Sequence, residues 1–195
     1  MFIIQSTYFS QLEIKKSNFI AYITPIEDFK SLHVKLKEEH PKANHIVWAM
    51  RYFNEYEQVV ENCSDDGEPK GTSGPPILNV MRGAALIECG ILVVRYFGGT
   101  KLGTGGLVRA YGTSAKEVID TASLVAYVKK KLWKFYVPFH LLSRFEHFFD
   151  TSGFGNPQKN FNETGVICEI NLSEEEGAKF LDFAHVFDME GFKVL

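Results

Sequence analysis

Apolar side chains recur along this chain in two rhythms, and the switches between them outline its elements. Residues 11–23 read as an opening strand, with Ile14, Phe19, Tyr22 and Ile23 as its apolar points. Residues 27–39 change period. Phe29, Leu32, His33 and Leu36 fall at i, i+3, i+4 and i+7, one face of a helix, and His40-Pro41 ends it because the residue before a proline avoids helical backbone. From 44 to 52 the period is two: Ile46, Trp48, Met50 and Tyr52 point one way, and His45, Val47, Ala49 and Arg51 the other. A short strand at 58–63 follows, then a loop by turn chemistry over 64–76. Pro75-Pro76 opens a short helix to about Arg82. Residues 85–97, rich in Ile, Leu and Val, are the strongest strand, and 105–122 the helix after it.

Beyond a boundary near 126–131 the pattern is strand 132–139, helix 141–150, a weak strand at 158–161, strand 165–172, helix 173–187 and a short strand at 192–195. Ser173-Glu174-Glu175-Glu176 is a capping box for the last helix. That β-α-β-β-α-β order is the ferredoxin-like one. The expected class is therefore α+β, in two domains over residues 1–127 and 128–195.

Composition narrows the function classes. A formal net charge of −3 argues against a globally basic nucleic-acid binder, so any such contact needs a local patch. No apolar run is long enough to span a membrane, and Met1 to Ser6 lacks the basic start of a secretion signal. Cys63, Cys89 and Cys168 are odd in number and widely spaced, which suits a reducing cytoplasm better than a disulfide framework or a zinc site.

The candidate chemistry clusters between residues 64 and 111, where glycine is concentrated. Strand residues Val93 to Phe97 run into Gly98-Gly99-Thr100-Lys101-Leu102-Gly103-Thr104-Gly105-Gly106 and a helix. Free N–H groups at a helix start, reached over glycines, attract anions. The loop is not a Walker A motif, since Thr104 stands where its lysine belongs, nor a dinucleotide fingerprint, since Val108 takes the last glycine position. Charge is zoned: residues 54–68 carry acids and no base, whereas Arg82, Arg95, Lys101, Arg109 and Lys116 face a single acid, Glu88, over 82–116. Those bases either hold phosphates or pair with the acids. Asp65, Asp66 and Glu68 read as loop-orienting residues, with Thr72 and His45. A metal reading fails the EF-hand spacing. Cys63, Ser64, Thr72 or Ser73 beside His45 would be nucleophile candidates, but no G-x-S-x-G elbow is present. No catalytic residue, metal or cofactor is assigned. The anion- or nucleic-acid-binding set is Arg95, Lys101 and Arg109, shaped by Gly98, Gly99, Gly103, Gly105 and Gly106.

Two long motifs carry a resemblance: Ser64-Asp-Asp-Gly-Glu-Pro-Lys-Gly-Thr-Ser-Gly-Pro-Pro-Ile-Leu78 and Val94-Arg-Tyr-Phe-Gly-Gly-Thr-Lys-Leu-Gly-Thr-Gly-Gly-Leu-Val-Arg-Ala-Tyr111. With Lys15 to Ala21 and Ala43-Asn44-His45, they resemble the YigZ/IMPACT family, Asn44 standing where threonine is usual. The resemblance implies an N-terminal domain of the ribosomal protein S5 domain 2 type and a ferredoxin-like C-terminal domain, a pair similar to the last two domains of translocating elongation factors. Eukaryotic relatives regulate translation through a protein partner. The expected function is an RNA- or ribosome-associated protein that modulates translation in the cytoplasm, with RNA, the ribosome or a protein in translation control as partner. An enzyme or binding protein for a phosphorylated small molecule, and a protein–protein regulator, remain alternatives.

Overall fold

In the computed structural model, which describes residues 1–195, a two-residue strand β1 (Phe2–Ile3) precedes the first long stretch. That stretch is not the single strand expected over 11–23 but a hairpin, β2 (Tyr8–Ile14) and β3 (Ser17–Pro25). Lys15 and Lys16 form its turn with φ of 48° and 66°. A two-residue turn with both φ positive matches the right-handed twist of the flanking strands. Asn-Gly usually announces such a turn, and a lysine pair hides it.

The N-terminal unit, Met1–Tyr127, continues with α1 (Ile26–Glu39), β4 (His45–Phe53), β5 (Val59–Ser64), α2 (Gly74–Gly83), β6 (Cys89–Tyr96), α3 (Thr104–Thr121) and β7 (Val125–Ala126). The strand expected from residue 85 starts later. Ala85 and Glu88 take positive φ, and Phe2 bridges Leu86, so the approach to β6 belongs to a side ladder with β1. The main sheet has the order β2-β3-β6-β4-β5, and every neighbouring pair in it is antiparallel. Its two faces are covered differently. Phe19, Val47, Ile91 and Val93 pack with Ile77 and Met81 of α2 and Tyr111, Ala115 and Val118 of α3. Leu92, Val94 and Ile46 pack with Phe29 and Leu36 of α1. Central β6 is thus buried on both faces from Cys89 to Arg95, which explains its unbroken apolar run.

The C-terminal unit, Val128–Leu195, holds β8 (Lys130–Pro138), α4 (Leu142–Ser152), β9 (Gln158–Phe161), β10 (Gly165–Ser173), α5 (Glu174–Ala184) and β11 (Lys193–Val194). The order β11-β8-β10-β9 completes the ferredoxin-like β-α-β-β-α-β arrangement. Phenylalanines fill its core: Phe135, Phe145, Phe149, Phe180 and Phe192 are all buried, with Phe135 and Phe180 centroids 4.6 Å apart. The expected helix to residue 187 ends at Ala184 and tightens into 3₁₀ turns through Glu190. The Ser173 cap is reciprocal: Ser173 Oγ accepts from Glu176 N at 3.2 Å, and Ser173 N donates to Glu176 Oε2 at 2.7 Å.

Candidate functional site

Where β6 ends, the chain must pass over the β2–β3 turn and enter α3 within a few residues. Gly98 makes the crossing. A Cβ there would sit 2.0 Å from the Lys16 carbonyl carbon, and Gly98 N donates to Ser17 Oγ at 3.2 Å. Asn44 guides the exit: its N–H donates to Arg95 O, and its Oδ1 accepts from Phe97 N at 2.7 Å. Gly103 then turns into α3 with φ of 73°, and no side chain caps the helix. Leu107 N donates to Gly103 O, so the preceding N–H groups of the first turn have no intrahelical partner. No acid lies in that turn.

The loop from Asp65 to Ser73 forms the opposite wall, and its three acids reach four different elements. Asp65 Oδ1 accepts from Ser73 N, Ser73 Oγ and Gly74 N, and Oδ2 from Gly71 N at 2.7 Å. It is an internal anion at the start of α2. Burial alone would raise its carboxyl, but the Ser73 hydroxyl and those N–H groups outweigh burial and hold it below the ordinary carboxylate value. Asp66 Oδ2 accepts from Ile46 N at 2.6 Å, extending the β4 ladder past the end of β5. Glu68 turns inward. Its Oε1 accepts from Arg95 Nη1 and, at 2.7 Å, from the Tyr111 hydroxyl. All three side chains are buried. Burial, reinforced by Glu68, pushes the Tyr111 phenol far above its ordinary value, so it stays a donor. Thr72 Oγ1 closes the loop onto Pro69 O at 2.6 Å.

His45 joins the walls. Its Nδ1 lies 2.7 Å from Asp66 O, a carbonyl that can only accept, so Nδ1 carries the proton. Nε2 is left facing Glu68 Oε2 at 3.9 Å. A cavity of about 500 Å³ opens between the walls, lined by Asn44, His45, Glu68, Pro69, Arg95, Phe97, Leu107 and the segment Lys101 to Thr104.

The structure divides the sequence-derived set. Arg95, Lys101 and Gly103 meet at the cavity with His45 and Glu68. Arg95 is no free surface cation: besides Glu68, its guanidinium carbon lies 5.5 Å from the Phe19 ring centre and 5.7 Å from that of Phe97, and its buried Nε has no partner. Arg109 is exposed further along α3, outside the lining. Gly98, Gly99, Gly105 and Gly106 shape backbone without lining the space. The acidic zone is partly spent on the basic one, since Glu61 pairs with Arg51 and Arg82, and Glu68 with Arg95. Asp65 is taken up by four donated hydrogen bonds and one Asp66 oxygen by the Ile46 amide. Burial, then the nearby Asp65 charge, raises the Cys63 thiol, the reverse of an activated nucleophile. Phe97 and Asn44 line the cavity but lie outside the sequence-derived set. The asparagine immediately before a strand was the available signal for Asn44.

Residues 15–119 match the model of the Impact N-terminal domain, a span that contains every residue lining the cavity. The chain belongs to the IMPACT family. The Bacillus subtilis IMPACT family member YvyE is 30% identical over 176 residues, covering 89% of this chain and 80% of its own. A Haemophilus influenzae IMPACT family member is 42% identical over 125 residues, and Escherichia coli YigZ is 41% identical over 112. The matches cover 61% and 54% of those two relatives and 63% and 55% of this IMPACT chain. A crystal structure described as a hypothetical protein superposes over 100% of the chain and 95% of its own length, with a TM-score of 0.74 and 27% identity. No helix of this IMPACT chain is long and apolar enough to cross a membrane.

Proposed function

We propose that this IMPACT-family chain is a cytoplasmic RNA-binding protein that modulates translation. Its N-terminal unit holds single-stranded RNA by a phosphate at the first turn of α3 and by a base on Phe97. One observation carries the reading: the uncapped, acid-free first turn of α3 opens on a 500 Å³ cavity beside exposed Lys101. Helix starts of this kind favour anions through free N–H groups and the helix dipole. Arg95, lining the same cavity, is already paired with Glu68, so Lys101 is the cation left for the phosphate. Phe97, 44% exposed at the cavity, offers a stacking surface, which is worth about 1–3 kcal/mol per base. The resemblance to the last two domains of elongation factors supports the ribosome as the place where the RNA is met.

The test is the anisotropy of a fluorescent single-stranded RNA across a salt series, for wild type, Lys101→Ala and Thr104→Asp. Thr104→Asp puts a carboxylate in the first turn, where it stabilises the helix and repels phosphate. Binding should fall in both variants with no loss of melting temperature, and Lys101→Ala should flatten the salt slope by about 0.7. Equal binding by all three proteins rejects this site. No RNA binding at low salt, with melting protection by uridine monophosphate, makes the ligand a phosphorylated small molecule instead.

A further inference from the structure

We propose that the C-terminal unit carries a separate binding site for a small organic cation, an apolar body bearing an ammonium group, in the cavity between α4 and the β9–β10 hairpin. The cavity measures about 360 Å³, within the range of small-ligand sites, ~300–1,000 Å³. Its floor is apolar. Phe145, Phe149 and Cys168 are each 2% exposed, and Leu142 completes it. Burial pushes the Cys168 thiol up to about 11, so the floor is neutral at working pH.

The rim is charged and unbalanced. Glu146 and Asp150 stand one turn apart on α4, with Lys159 opposite on β9. Lys159 pairs with Glu146, so its charge is already matched. Asp150 is exposed and has no ion-pair partner. Two carboxylates against one ammonium leave a net charge of −1 on the lip.

Asp150 also lies in the last turn of α4, which contains no basic residue. Carbonyl groups at a helix C-terminus already carry partial negative charge, and an acid there works against the helix. An arrangement that breaks the local rule without a visible compensation marks a candidate functional position. A bound cation supplies the compensation: its charge meets Asp150 and the helix end, and its apolar body covers Phe145 and Phe149. An anionic ligand finds no free cation on this lip.

Two probes with the same apolar body and opposite charge separate the possibilities. The ¹⁵N-labelled full chain is titrated with phenethylamine or with 3-phenylpropionate, and amide shifts are followed. Phenethylamine should shift Asp150, Asn156, Lys159 and Cys168 saturably, and 3-phenylpropionate should not. Asp150→Asn should weaken phenethylamine about fivefold while raising the melting temperature of the unit. Glu146→Gln should weaken the amine and admit 3-phenylpropionate through the freed Lys159. Equal binding of the two probes, shifts outside the cavity, no shift with either, or an unchanged affinity in Asp150→Asn would each overturn the proposal.

Discussion

The Glu68–Arg95–Tyr111 network makes a quantitative prediction. The Glu68 and Arg95 side chains are 4% and 6% exposed, so removing one strands the other's charge away from water. Breaking a buried pair from one side costs about 3–5 kcal/mol. Arg95→Met and Glu68→Leu should each lose that much, which for a unit of this size is about 10–20 °C in melting temperature. The double variant should not lose the sum. Apolar replacement of a whole buried pair is often neutral, leaving mainly the Tyr111 hydroxyl without an acceptor, at about 1–3 kcal/mol. Adding Tyr111→Phe should recover most of that loss. The two tryptophans, Trp48 and Trp133, fall one in each unit, so urea unfolding followed by fluorescence in a Trp133→Phe background reports the N-terminal unit alone. Additive losses, or single variants costing under about 1 kcal/mol, would refute the reasoning by showing that the pair behaves as a solvated surface bridge.

Two further outcomes follow from the loop geometry. Gly98→Ala drives a Cβ into the Lys16 backbone; the strand end must shift, and about 3 kcal/mol or more should be lost in urea unfolding. Asp65 has a carboxyl lowered in the folded chain, so its contribution is complete above the unfolded value of about 3.9 and disappears as pH falls through the lower folded value. Asp65→Asn should therefore be less stable than wild type by about 1–3 kcal/mol at pH 7, and the gap should narrow in urea titrations below about pH 4.

The α+β class was legible because periods of two and of 3.6 alternate clearly in this chain. The β2–β3 turn was not, because lysine carries no turn signature. Site geometry failed to show for a related reason. Arg95 lies on a strand covered on both faces, where no alternation separates inside from outside, so a basic residue next to a glycine turn reads as exposed. Its partner Glu68 lies 27 positions away in sequence and is brought to it by the order of β4 and β6 in the sheet. Glu61 of β5 reaches Arg82 of α2 across 21 positions, through a helix packed on the sheet edge. Gly103 could be read locally, because a positive φ is a local demand, whereas Gly98 is required by its close passage over the distant Lys16 backbone, which only the sheet order brings beneath it.

What the acids of the Asp65-to-Glu68 segment do depends on the backbone between them. Asp66 and Gly67 both take positive φ, 44° and 86°, which splays neighbouring side chains apart. Asp65 is thereby fixed to the start of α2, Asp66 to β4, and Glu68 to β6 and α3. Each tie constrains the other two, since only a few bonds separate them. The wall facing the first turn of α3 is therefore built before any ligand arrives. A preorganised wall spares a ligand the entropy of ordering the loop. In the proposed RNA complex Arg95, paired with Glu68, would hold that wall in place, and Lys101, exposed on the facing segment, would be the cation free to move onto a phosphate.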